Sequence, residues 1–222
     1  MTPSAFVHML AEFSLPAVFN PYSDKCAEYD RADAAKLRRR NLQIFLEAAL
    51  EARTDTFWIA RDLGYRGGRR TGIPLTDEIH LSVVSRLLGG IELRRATRGP
   101  AVAERTAAVV WRMLSEIGRP VVLWNVFPFH PHEPDDPLSN RCHTANERLV
   151  ARPLLQGLLE MFQPRFLVAI GRDAQRALLE LEMQIVTVRH PSYGGQADFI
   201  RQVSEAYSLR IAENEPMLPL DA

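Results

Sequence analysis

The sequence is poor in cysteine. Cys26 and Cys142 are the only two in 222 residues, too few for a disulfide framework or a four-thiolate iron–sulfur cluster. They fit a reducing cytosol. Lysine is equally scarce: Lys25 and Lys36 stand among 27 basic residues, so arginine supplies the rest. Net charge is absent as well, with 27 basic residues against 27 acidic ones. No bulk positive field therefore announces a polyanionic partner, although a local patch stays open to one. Long apolar runs are missing, which excludes a helix of about 18 apolar residues across a membrane. The first residues lack the basic start of a secretory signal. The expectation is a cytoplasmic protein with no membrane partner.

Several phosphate and nucleophile motifs are also missing. There is no G-x-G-x-x-G fingerprint, no Walker loop, no G-x-S-x-G elbow and no H-E-x-x-H pair. What remains is an ordinary globular composition, 46% hydrophobic and 24% charged. The length suits one domain. We expect a single domain over 1–222, with an N-terminal helical extension to about residue 54, a core over about 55–210, and a flexible tail from 213.

Residues 31–52 carry apolar positions at helical spacing, through Leu37, Leu42, Phe45, Leu46 and Leu50. Four short runs follow at 56–60 (TFWIA), 121–126 (VVLWNV), 166–170 (FLVAI) and 184–188 (QIVTV). They are rich in β-branched and aromatic residues and lack polar alternation, as strands covered on both faces do. Helical patterns at 76–88, 101–117, 146–162 and 173–181 lie between them, and one at 195–206 follows. This alternation predicts a three-layer α/β/α sandwich around a mainly parallel four-stranded sheet.

In such a sheet, ligands bind beyond the carboxyl ends of the strands. Each predicted strand here ends in residues odd for a plain turn. The first leads into Arg61, Asp62, Gly64, Tyr65 and Arg66, and the second contains Asn125 and leads into Phe127 and Phe129. The third ends in Gly171-Arg172-Asp173, and the fourth in Arg189-His190-Pro191-Ser192-Tyr193. Asp62 could cap a turn or hold a water. Asn125 donates and accepts at once, which suits the edge of a pyrimidine or another lactam. His190 could donate to a developing oxyanion. His130, His132, Cys142 and His143 match no zinc spacing, so no metal is expected.

At these motifs the sequence resembles the uracil-DNA glycosylase superfamily. Ala60-Arg61-Asp62-Leu63-Gly64-Tyr65 is similar to the water-activating loop, G-Q-D-P-Y-H in one branch and G-E-A-P-G in the iron–sulfur branch. Asp62 falls on the catalytic aspartate, and Gly64 falls where the first branch keeps a tyrosine against uracil. Thr71-Gly72-Ile73-Pro74-Leu75 resembles the T-G-x-P-F segment, with Leu75 replacing the stacking phenylalanine. Asn125 lies in a stretch similar to the uracil-reading motif. Asn140 to Glu147 (NRCHTANE) resembles N-R-x-P-T-x-x-E, with His143 in place of proline, and His190-Pro191-Ser192 matches the distal H-P-S.

The resemblance implies a cofactor-free, monofunctional glycosylase of DNA repair that acts as a monomer on uracil-containing DNA, single- or double-stranded. Asp62 and His190 would be catalytic. Asn125, Gly64, Tyr65, Leu75, Phe127 and Ser192 would contact the base. Arg66, Arg69 and Arg70 would grip phosphates, and Tyr193 would fill the gap left by a flipped nucleotide. Two other readings stay open. One is a uracil-DNA binder without turnover; the stretch Glu92 to Arg98 has arginines but lacks the histidine of the superfamily's covalent branch. The other is a metal-dependent hydrolase built on His130, His132 and His143.

Overall fold

The structure is a computed structural model, and it describes residues 1–179, 181 and 183–208. The tail expected from 213 onward lies outside the described residues. Along the chain come α1 (Pro3–Ala11), β1 (Val18–Phe19), α2 (Ala34–Glu51), β2 (Thr56–Asp62), α3 (Gly68–Thr71), α4 (Leu81–Leu87) and α5 (Arg105–Ile117). They are followed by β3 (Val122–Phe127), β4 (His130–Pro131), α6 (Ala145–Phe162), β5 (Phe166–Ile170), α7 (Arg172–Leu178), β6 (Ile185–Val188) and α8 (Gln196–Tyr207).

The four predicted strands form one sheet in the order β3-β2-β5-β6, parallel throughout. Side chains of a strand alternate between faces, and β2 shows what covers each. Phe57 meets Phe162 of α6, while its neighbour Trp58 meets Phe199 and Tyr207 of α8. Helices therefore cover both faces, which is the expected sandwich. Phe57, Trp58 and Trp124 are fully buried; truncating a core ring of this size to Ala typically costs about 3–5 kcal/mol.

Strand order places the site. From β2 the chain steps to β3 on one side, then crosses to β5 on the other and on to β6. The direction reverses between β2 and β5, and the crevice of an open parallel sheet lies at such a point.

The structure departs from the sequence reading at the N-terminus. Residues before 55 are built into the core rather than appended to it. Phe6 of α1 packs on Trp124 with ring centroids 5.4 Å apart. β1 pairs antiparallel with β4. The buried Arg38 forks onto Asp30 at 2.9 Å and 2.9 Å. The Tyr22 hydroxyl donates to the Gly72 carbonyl at 3.0 Å. Gly72 has φ +79, and a Cβ there would meet the Arg38 backbone at 2.6 Å, so only glycine fits.

Two helices start later than their apolar patterns suggest. The backbone before α4 is diverted: Asp77 Oδ1 accepts from the His80 amide at 2.9 Å, and Thr76 Oγ1 donates to the Pro74 carbonyl at 3.1 Å. Before α5 the amides of Val102 and Glu104 donate to the carboxylates of Glu78 and Asp77 at 2.9 Å and 2.7 Å. The bonds before α4 are local and compete with helical ones, while those before α5 tie the amides leading into it to a loop distant in sequence. Asp77 and Glu78 are 0% and 4% exposed and turned to these amides, so neither carboxylate is placed to hold a reacting water.

Candidate active site

At the carboxyl ends of β2, β5 and β6 lies a cleft of about 560 Å³, lined among others by Arg61, Asp62, Arg172, Arg189, His190 and Tyr193. Parallel pairing brings these residues together. Ile59 is level with Ala169 and Ala169 with Thr187, so strands separated in sequence end on one rim.

Asp62 closes β2 with its side chain 6% exposed. Its Oδ2 accepts from Arg61 Nε at 2.6 Å, and Arg61 Nη1 reaches Asp173 at 3.3 Å. Its Oδ1 accepts from Nδ1 of His143, on the loop before α6. That loop is tightly fastened. Thr144 and Glu147 form a capping box, Arg141 forks onto Glu147 at 2.9 Å and 2.6 Å, and Asn140 Oδ1 accepts from the Tyr65 amide at 3.1 Å. The stretch resembling N-R-x-P-T-x-x-E is thus a scaffold that delivers His143 to Asp62. The sequence reading missed this contact because 81 residues separate the partners. The local signal was the capping box, which marks His143 as the last residue before a fixed helix start.

His190 stands across the cleft. Its Nδ1 accepts from the Ser192 amide at 3.2 Å and lies 2.7 Å from Ser192 Oγ. A nitrogen that accepts an amide proton carries none itself, so the neutral ring holds its proton on Nε2. Burial, reinforced by the Arg61 charge, pushes the His190 pKa down to about 4. The ring is therefore a neutral N–H donor at physiological pH. Ser192 serves as its orienter. The next residue, Tyr193, is 97% exposed, with φ 52 beside Gly194 at φ 75, so the chain holds a bare aromatic ring out at the cleft mouth.

Asn125 is the most unusual side chain. It is 0% exposed, and neither its Nδ2 nor its Oδ1 has a hydrogen-bond partner among the described residues. An unpartnered buried amide costs about 1–3 kcal/mol per missing bond and calls for an explanation. Asn125 pairs in register with Ala60, and Phe127 with Asp62. It therefore shares the Asp62 face of the sheet, one pleat deeper, and lies outside the cleft lining.

Other expected contact residues lie away from the cleft lining. Phe127 is fully buried, edge-on to Phe129 at 5.3 Å and 5.6 Å from the His143 ring. Leu75 is 7% exposed in the core at φ 54, a strained conformation for leucine. Tyr65 lies under Arg66, whose guanidinium is 5.7 Å from the ring centroid. A side chain at Gly64 or Gly67 would run into the carboxylate of Glu104, so Glu104 occupies the space left open by the absent tyrosine. Burial, then the nearby Asp77, pushes the Glu104 pKa up to about 7.

The arginine grip requires a correction. Arg69 and Arg70 are 1% and 6% exposed and cannot reach phosphates. Arg69 stacks 3.9 Å from the Phe19 ring centroid and bonds His130 Nδ1 at 2.9 Å. Arg70 lies 4.0 Å over Tyr29 and pairs with Glu78 at 3.1 Å. Both fasten the glycine loop from inside, whereas Arg66 is exposed. The same contacts remove the histidine cluster as a metal set. His130 Nδ1 faces a cation, its Nε2 lies 2.8 Å from the Ser139 carbonyl, and burial pushes its pKa down to about 3. His143 is committed to Asp62. Among the described residues no group of three or more His, Cys, Asp or Glu side chains is placed to hold a metal ion.

Comparison with known proteins agrees with this architecture. Among curated proteins, none matches the sequence. The crystal structure of wild-type SMUG2 from Pedobacter heparinus superposes with a TM-score of 0.64 at 14% identity, over 94% of this chain and 96% of that one, which is a likeness of fold. The family model of the uracil DNA glycosylase superfamily matches residues 64–206. That span covers most of the chain, from the glycine loop through His190 to α8, and the chain belongs to the uracil-DNA glycosylase superfamily.

Proposed function

We propose that the protein flips uracil out of DNA and hydrolyses its N-glycosidic bond, leaving an abasic site. The observation that carries this reading is Asn125, a buried amide on the sheet face of Asp62 with both polar atoms unpartnered among the described residues. Uracil presents an N3–H donor beside an O4 acceptor, and one amide satisfies both. Cytosine reverses the O4 position to a donor and leaves N3 bare. Because Asn125 is closed off in the free protein, the base reaches it only when the cleft opens further.

The chemistry follows from the two sides of the cleft. As the bond from C1′ to N1 breaks, its electron pair moves onto uracil and gathers largely at O2, while the sugar becomes cationic. His190, neutral with its proton on Nε2, donates to O2 without first having to lose or gain a proton. Asp62 holds the water that adds to C1′, takes up the proton that this water loses as the C–O bond forms, and stabilises the cation beside it. Incubation with a single-uracil oligonucleotide, with mass-spectrometric detection of the free base, tests the reading; folded protein in excess that releases none would exclude it.

With Arg69 and Arg70 buried, the grip on DNA passes to arginines along the cleft, Arg172 and Arg189, with Arg66 beside the glycine loop. Tyr193 serves as the wedge. Replacing Arg172 and Arg189 with Ala should weaken binding to any DNA and reduce the salt slope by about one unit per lost contact. Tyr193→Ala should slow excision from duplexes more than from single strands, which have no stack to hold open. An unchanged salt slope would put the DNA path elsewhere, and equal losses on both substrates would remove the wedge.

A further inference from the structure

We infer that His143 is a positioning residue for Asp62, fixing the orientation of the cleft carboxylate by donating Nδ1–H to its Oδ1. The inference rests on the glycosylase reading for its consequence in catalysis, and on geometry alone for the contact. The two oxygens of Asp62 are divided between two segments. Arg61, the preceding residue of the same strand, holds Oδ2 at 2.6 Å, and His143, 81 residues away, holds Oδ1.

The two holders are not equivalent. Arg61 is 39% exposed and also committed to Asp173 at 3.3 Å. His143 is 7% exposed at its side chain and packs against Phe127 with ring centroids 5.6 Å apart. It sits directly before Thr144, whose capping box and the adjoining Arg141–Glu147 fork fix the loop. The imidazole is thus the rigid member, and a hydrogen bond in so dry a setting is stronger than one in water.

A structural role alone does not account for the contact. The loop is already held by Arg141, Thr144 and Glu147, so its closure does not depend on the His143 proton alone. That proton is directed instead at Asp62, the buried one of the two carboxylates, Asp62 and Asp173, that line the cleft. His143 does not itself line the cleft, so it acts through Asp62 rather than on the substrate. A carboxylate accepts and does not donate, which fixes the proton on Nδ1. With one lone pair on each oxygen occupied, the remaining ones face the cleft in a single orientation, ready for water. A displacement of about 1 Å in a reacting group can cost on the order of 100-fold in rate.

The test uses three proteins and two readouts. Single-turnover excision with enzyme in excess should fall on the order of 100-fold in His143→Ala, with affinity for uracil DNA within about two-fold of wild type. His143→Asn should recover most of the rate, because its Nδ2 lies the same number of bonds from Cα as Nδ1 and can donate to the same oxygen. Wild-type rates in His143→Ala, or equal losses in the Ala and Asn variants, would overturn the proposal. Nitrogen NMR of the free wild-type protein supplies the second readout. It should show the His143 proton on Nδ1, and a neutral ring protonated on Nε2 alone would overturn the contact. If the wild type releases no uracil, the glycosylase reading fails, while the spectrum still decides whether His143 holds Asp62.

Discussion

Asn125→Asp should remove most uracil excision, about 30- to 5,000-fold in single-turnover rate, equivalent to roughly 2–5 kcal/mol. The carboxylate cannot donate to O4 and brings an unpaired charge into a sealed site. A companion variant separates recognition from folding. Both polar atoms of Asn125 lack partners among the described residues, so an apolar replacement of similar shape removes a penalty rather than a bond. Asn125→Leu should therefore melt at or above the wild-type temperature while losing excision. A Leu variant that unfolds, or an Asp variant at wild-type rate, would make Asn125 a structural residue.

His190→Ala should slow the chemical step about 100- to 1,000-fold, the usual cost of a positioned oxyanion donor, with little change in affinity for uracil DNA. Single-turnover kinetics isolate this step from product release. The pH dependence has a definite sign. A histidine whose pKa is lowered to about 4 is mostly neutral well below pH 6.5, so protonation of His190 should reduce the rate only slightly between pH 7 and 5. A fall in that window that disappears in His190→Ala would show that the ring titrates near its ordinary value, contrary to its burial. An undiminished rate in the variant would remove His190 from the reaction.

How much of this was legible in the sequence depended on the range of each signal. The four sheet strands appear within about two residues of their predicted bounds, because a strand buried on both faces needs an uninterrupted apolar run. β1 and β4 carry no such signature: two residues each, they pair where Arg69 meets both strands, over the Phe19 ring and at His130 Nδ1. Asp62 and His190 were readable as strand-end residues, since parallel pairing sends every carboxyl end to one rim. Arg69 and Arg70 were misread because nothing local separates a solvated arginine from one laid on an aromatic ring. Phe19 and Tyr29, which bury them, lie about 40–50 residues upstream. His143 was misplaced for the same reason, although the Thr144–Glu147 capping box was visible at short range.

If the cleft between β2 and β6 excises uracil, one reaction shows it. The direct measurement is a single-turnover reaction, with a chelator present, on an oligonucleotide carrying one uracil among ordinary thymines and cytosines, followed by alkali. Cleavage is expected at the uracil position alone, strongly reduced in Asn125→Asp and His190→Ala. Folded wild-type protein that binds the oligonucleotide yet leaves no alkali-labile site would contradict it.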